Sequence, residues 1–216
     1  MANRPVFLAE ATAPFYFERG VEFEWFPGLS AAQKRRSWQS LHAAFLHKMP
    51  DRRVLEISSK STEPLGVALS AFNLHLTVDG RRLPLECVYH GSKVFLHGGP
   101  YTDLPTATPR AAKKDERLKT SGLLTGFVLN GETFALRPKT FFYDWLYLNA
   151  LYQNPDLAAQ LLAYDAFTDI EFNPEKSLNC QARAAATYVG LHRAGLLQAA
   201  LSSPQAFLRI VYGMTP

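Results

Sequence analysis

Glu86 and Lys93 stand seven residues apart in LSAFNLHLTVDGRRLPLECVYHGSKVF, the stretch from 69 to 95. Seven residues is close to two helical turns, so a helix starting near Leu85 would project both from one face. A carboxylate and an amine on one rigid face supply an acid/base and a nucleophile. Solvated surface pairs share this spacing, so the pair alone does not choose between chemistry and surface. ISSKS (57–61) carries Ser58, Ser59 and Lys60 after a short apolar run. A strand followed by a hydroxyl-rich loop offers hydroxyls and backbone N–H groups to phosphate, or it is a plain solvated turn. GGPYTD (98–103) lets backbone approach a diphosphate, or is an ordinary glycine loop. FTDIEF and SLNCQAR place Asp169 among Phe167, Thr168 and Phe172, with Asn179 and Arg183 one turn apart beyond. The rings suit stacking on a base or pinning the loop to the core. Asn179 and Arg183 suit lining a pocket or anchoring the loop.

Several chemistries lack their residues. There is no GxSxG elbow, HExxH pair, phosphate-binding P-loop or GxGxxG. The six histidines do not fall at metal-ligand spacing, so neither a metal nor a cofactor is expected. Cys87 and Cys180 form neither a zinc pattern nor a disulfide framework; buried reduced thiols are expected, with Cys87 inert beside Glu86. The net charge of +4 is compatible with an anionic ligand or nucleic acid. With 216 residues, 47% hydrophobic and 12% aromatic, the chain can bury a sizeable core as one domain. No run of about 18 apolar residues predicts a membrane helix. MANRPVFLAE lacks a signal-peptide layout, and a cytoplasmic protein is expected.

The elements that must hold these residues follow from period and punctuation. VEFEWF (21–26) alternates as a strand. Ser30 and Gln33 form a capping-box pattern ahead of an amphipathic helix over 31–48, with Trp38, Leu41 and Phe45 on its apolar stripe. Met49, Pro50 and Asp51 end it. A short strand over 54–58 leads into a polar loop. Residues 73–78 and 81–84 read as a hairpin about Asp79–Gly80. The helix from Leu85 buries Leu85, Val88 and Phe95, with Glu86, Lys93 and Tyr89 or His90 on the next stripe. A loop over 97–109 precedes the charge-dense RAAKKDERLK, expected as one short solvated helix. A hairpin about Asn130–Gly131 spans 123–136, and 139–153 is a buried helix. Pro155 starts a short helix, 167–174 is irregular, 177–194 is a small-residue helix, and Ser203–Pro204 opens the last. The fold class is α+β and mainly helical, with a small sheet or hairpins from 21–26, 54–58, 73–84 and 123–136.

Taken in order, ISSKS, LSAF, TVDG and ECVYHGSKVF resemble the NADAR domain family, which includes the YbiA-like proteins. Its Glu and Lys match Glu86 and Lys93 at the same separation, and its late Trp-Gly-Asp segment matches Phe167, Thr168 and Asp169. EFEWFPG, LEISSKS, LSAFNL, GGPYTDL, TFFYDWLY and FTDIEFNPEKSLNCQA resemble the antitoxin branch paired with DarT toxins (DarG-like). The likeness spans about 21–195, as one domain with terminal extensions. Ala71, His90 and Phe167 depart from the usual Asn, Gln and Trp. The resemblance implies a glycosidase that removes ADP-ribose from guanine bases in DNA, reversing a DarT-type toxin. It implies catalytic roles for Glu86, Lys93 and Asp169. Lys93 would be a Schiff-base nucleophile and Asp169 would orient ribose hydroxyls or a water. Ser58, Ser59, Lys60 and Ser70 would hold phosphate or ribose, with Phe72, Tyr89, His90, Phe167, Thr168 and Asn179 completing the ADP-ribose-binding set. Two other functions stay open: an N-glycosidase on ribosylamino-pyrimidine metabolites, and a non-catalytic antitoxin that binds its toxin.

Overall fold

The computed structural model describes residues 1–214. In chain order the elements are β1 (Ala2–Ala9), β2 (Tyr16–Phe23), α1 (Ala31–Lys48), β3 (Val54–Glu56), α2 (Pro64–Ala68), β4 (His75–Val78), β5 (Arg81–Pro84), α3 (Leu85–Gly91), β6 (Lys93–Phe95), α4 (Pro109–Lys114) and α5 (Arg117–Thr120). There follow β7 (Leu124–Leu129), β8 (Glu132–Phe134), α6 (Phe141–Tyr152), α7 (Pro155–Leu161), β9 (Ala166–Thr168), α8 (Gln181–Arg193), α9 (Leu197–Ala200) and α10 (Pro204–Tyr212). The fold is mixed α+β, with helix the commoner element. Its contacts gather into two compact units: Met1–Ser70 with the chain from Pro155 onward, and Ala71–Asn154.

The first unit is built on a sheet in the order β2-β1-β9-β3. Neither β1 nor β9 is foreseen by periodicity. VFLA in β1 is a short continuous apolar run, buried on both faces because strands flank it and helices cover it. Such runs carry no alternation to read. Pro5 is tolerated because β9 pairs only with Phe7 and Leu8, leaving β1 single-sided at Pro5. β9 lies parallel to β3, with Leu55 opposite Phe167 and Glu56 opposite Thr168. That pairing closes over a hundred residues of chain, so no local pattern announces it. It turns the start of the 167–174 segment, expected to be irregular, into strand. The strand expected over 21–26 instead ends at Phe23 and begins at Tyr16.

Helix α1 has its expected bounds. Ser30 Oγ accepts from the Gln33 N–H at 3.3 Å, while Gln33 Oε1 is buried without a partner, so only one arm of the capping box forms. Trp38, Leu41 and Phe45 pack on Val6, Leu8, Val21 and Phe23. Most of α8 is buried. At Gly190 a Cβ would lie 2.1 Å from the Phe15 carbonyl oxygen, which is why this contact demands glycine. α8 begins four residues later than expected because Asn173 turns the chain, its Oδ1 accepting from the Glu175 N–H.

In the second unit both predicted hairpins form, β4–β5 and β7–β8, with β6 added to the latter. Their turn pairs, Asp79–Gly80 and Asn130–Gly131, all take positive φ, as two-residue hairpin turns require. α6 is buried almost throughout. Phe142 stacks on Phe127 with ring centroids 4.4 Å apart. The charge-dense segment splits into α4 and α5 because Asp115 accepts from the Arg117 N–H at 2.9 Å and starts a new turn.

Candidate functional site

α3 takes over directly from the β4–β5 hairpin, with Pro84 at the N-cap position. Its first turn is stitched to LSAFNL (69–74): the Leu85 N–H donates to Leu74 O at 2.9 Å and the Glu86 N–H to Ala71 O at 3.1 Å. Glu86 therefore sits in the first turn of the helix, its backbone fixed by these two hydrogen bonds. The helix stops at Gly91. There a Cβ would meet Pro105 Cδ at 2.7 Å, and Gly91 O accepts from the Tyr101 N–H. Ser92 O then accepts from the Val128 N–H at 2.8 Å, drawing the chain into the sheet.

Lys93 is thus the first residue of β6, opposite Phe127, and not part of the helix. The expectation of two turns of one helix face is corrected, and Phe95, expected on the helix's buried stripe with Leu85 and Val88, is a buried strand residue. The pair is joined through a third residue. Lys93 Nζ lies 3.0 Å from His90 Nδ1, and His90 Nε2 lies 3.3 Å from Glu86 Oε1. With the ring neutral, Nε2–H donates to the carboxylate and Nδ1 accepts from the lysine. Lys113, on α4, approaches the same Glu86 Oε1 at 3.2 Å. Tyr89 presents its ring to Lys93 Nζ at 4.7 Å, and exposed Phe72 presents its ring to Lys113 Nζ at 5.3 Å.

Electrostatics divide the roles. Burial raises the Glu86 carboxyl, but the His90 hydrogen bond and the Lys113 charge outweigh it, leaving Glu86 below its ordinary value and ionised. Burial holds His90 low, and the Lys93 charge adds to that. Burial brings Lys93 down to about 8, against the pull of Glu86 and with help from Lys113. A lysine with an accessible neutral form beside a carboxylate suits nucleophilic attack with charge stabilisation. Cys87 is buried, donates to Ala107 O and is pushed up to about 11, the inert thiol expected.

Gly99 has φ +86°, and a Cβ there would lie 2.2 Å from Lys93 O. The Phe95 N–H donates to Gly98 O. The GGPYTD loop therefore packs on the Lys93 strand. Arg117 clips it, binding Asp103 and Asp115 while lying over Tyr101.

The other candidates belong to the first unit. Glu56, missed in the sequence, is buried at its centre. Its Oε2 accepts from Thr168 Oγ1 at 2.6 Å and its Oε1 from the Ile170 N–H at 2.9 Å, so it grips both sides of Asp169. Thr168 in turn faces His42 Nε2 at 2.8 Å. With that hydroxyl proton on Glu56, His42 is the donor. Burial raises Glu56, and burial with the Glu56 charge raises Asp169 well above the usual carboxyl range. Ser58 is buried and accepts from the Lys60 N–H, while Ser70 donates to Val67 O. The Ser58 hydroxyl also hydrogen-bonds the Glu56 carboxylate, tying its loop to the buried network. Ser59 is exposed and Lys60 half-buried, with Lys60 O accepting from Trp38 Nε1–H. Asn179 is half-buried beside Cys180. Phe167, considered for base stacking, is fully buried within β9 and packs in the core, because its strand is covered on both faces. Phe172 meets Phe7 edge-on. Glu56 and His42 did leave a signal: an acidic residue inside an apolar strand, and a histidine one turn beyond Trp38.

Among the described residues no group of three His, Cys, Asp or Glu could hold a metal, and no helix is long and apolar enough to cross a membrane.

The fold is α+β, and its second unit carries a Glu86–His90–Lys93 string joined by contacts of 3.3 and 3.0 Å. The chain belongs to the family of DarT1-associated NADAR antitoxins, whose model matches residues 2–215. No curated protein matches it in sequence.

Proposed function

We propose that this antitoxin is a cytoplasmic glycosidase that removes ADP-ribose from guanine in DNA and so reverses a DarT-type toxin. The observation that carries the reading is the string Lys93–His90–Glu86, with spacings of 3.0 and 3.3 Å and a lysine brought down to about 8. As the bond between guanine and the ribose anomeric carbon breaks, positive charge develops on that carbon. Ionised Glu86 stabilises it. The neutral Lys93 amine adds to the carbon, and the proton its nitrogen sheds on bonding goes to the departing guanine nitrogen. The ribose ring opens to an imine on Lys93, and water then releases ADP-ribose and restores the amine. His90 offers a hydrogen-bonded path for protons between Lys93 and Glu86.

Glu86→Gln and Lys93→Ala, assayed on ADP-ribosylated guanine in duplex DNA with folding checked by circular dichroism, should each lose at least about 100-fold in turnover. Near-normal turnover in both would sink the reading. Faster cleavage of a ribosylamino-pyrimidine phosphate would move the substrate to small metabolites. Protection of cells by both variants, with the DNA mark still present, would make the protein a binding antitoxin.

A further inference from the structure

We infer that Lys113 is a positioning residue of the proposed glycosidase centre, its ammonium fixing the Glu86 carboxylate against His90 and setting the charge that Lys93 meets. The inference rests on the functional reading above but reaches a residue in a charge run that reads as solvated surface. Lys113 lies on α4, and its side chain is 57% exposed, while Glu86 is buried. An exposed lysine with the whole solvent available places its Nζ 3.2 Å from the oxygen that also faces His90. Its position is held from a second direction by the Phe72 ring at 5.3 Å. The result is a string of four groups, Lys113, Glu86, His90 and Lys93, in which a carboxylate lies between two amines.

The elements around Lys93 are accounted for. α3 brings Glu86, His90 and the Tyr89 ring, and α4 brings Lys113. β7 places Phe127 opposite Lys93. α6 packs on α3, setting Tyr143 against Tyr89 and carrying the buried Asp144. Of these, Lys113 is the cation that disfavours a proton on Lys93, and it adds to the His90 hydrogen bond in favouring ionised Glu86. Removing it should make Lys93 more basic, because a like charge disappears while the His90 hydrogen bond still favours the Glu86 carboxylate. Ion pairs with an exposed partner contribute little to folding, so Lys113 variants should fold.

The test is competitive acylation of lysines in the full-length protein across neutral to alkaline pH, with the Lys93 adduct quantified by peptide mass spectrometry. It needs no enzymatic activity. Lys93 in Lys113→Met should titrate about half a pH unit or more above the wild type, and Lys113→Arg should restore it. In DNA de-modification the rising limb of the kcat profile should move to higher pH by the same amount in Lys113→Met. One Lys93 midpoint in all three proteins overturns the inference. A moved midpoint in a protein without glycosidase activity overturns the functional reading and leaves the charge coupling standing.

Discussion

Lys93 has the unusual environment that the proposed chemistry needs. An ordinary lysine is almost wholly protonated at neutral pH and is no nucleophile. Burial near Lys113, only partly opposed by Glu86, brings it to about 8. The neutral fraction then grows as pH rises through 8. Borohydride added during turnover should therefore trap an adduct at Lys93, with a yield climbing through that pH. Intact-mass measurement would detect it, and an adduct absent at every pH would argue for a purely electrostatic lysine. The same residue scale explains why the helical spacing that drew attention to the pair is not the geometry that joins it. Seven residues implies two helical turns, yet Gly91 ends the helix, and the real connection runs through His90.

At the scale of elements, the site depends on how β6 is held. Gly99 crosses the Lys93 strand so closely that a Cβ would lie 2.2 Å from a backbone oxygen, and its φ of +86° disfavours any side chain. Gly131 also has positive φ, but nothing lies within 4 Å. Gly99→Ala should therefore cost clearly more than Gly131→Ala, about 3 kcal/mol or more against about 1 kcal/mol. Chemical denaturation of the two variants would measure the difference, and equal costs would contradict the packing account. The hairpins, α1, α6 and the start of α10 are legible in the sequence because turn residues, caps and periods act locally. The divided RAAKKDERLK segment is not, because its break depends on an Asp115 turn and on Arg117 reaching Asp103.

At the scale of the whole molecule, the buried polar network of the first unit should make folding pH-dependent. His42 is held down to about 4 by burial, so the unfolded chain takes up a proton at higher pH than the native protein. Its contribution is complete above about 6.5 and is lost as pH falls toward 4, by up to about 3 kcal/mol. Glu56 and Asp169, both raised, act in the opposite sense: the native form keeps its proton to higher pH, so acidification favours folding through them. Comparing the wild type with His42→Gln isolates the histidine. The variant keeps a donor for Thr168 but cannot titrate, so its stability should fall less between pH 6.5 and 4 in urea melts. Parallel losses in both proteins would exclude His42 as the source.

The sequence by itself determined the α+β class, the hairpin turns and the amphipathic helix, since residue type and near-neighbour spacing suffice for each; it singled out Glu86 and Lys93 only as candidates. Only the tertiary structure decided that β1 and β9 complete a sheet, that Glu56 grips both sides of Asp169, and that Lys113 meets Glu86. Those contacts join residues from 27 to more than a hundred positions apart. Buried carboxylates, lysines and histidines take their charge from such distant neighbours. Glu86 and Lys93 were therefore visible in the sequence as candidates, but the neighbours that set their charge were not.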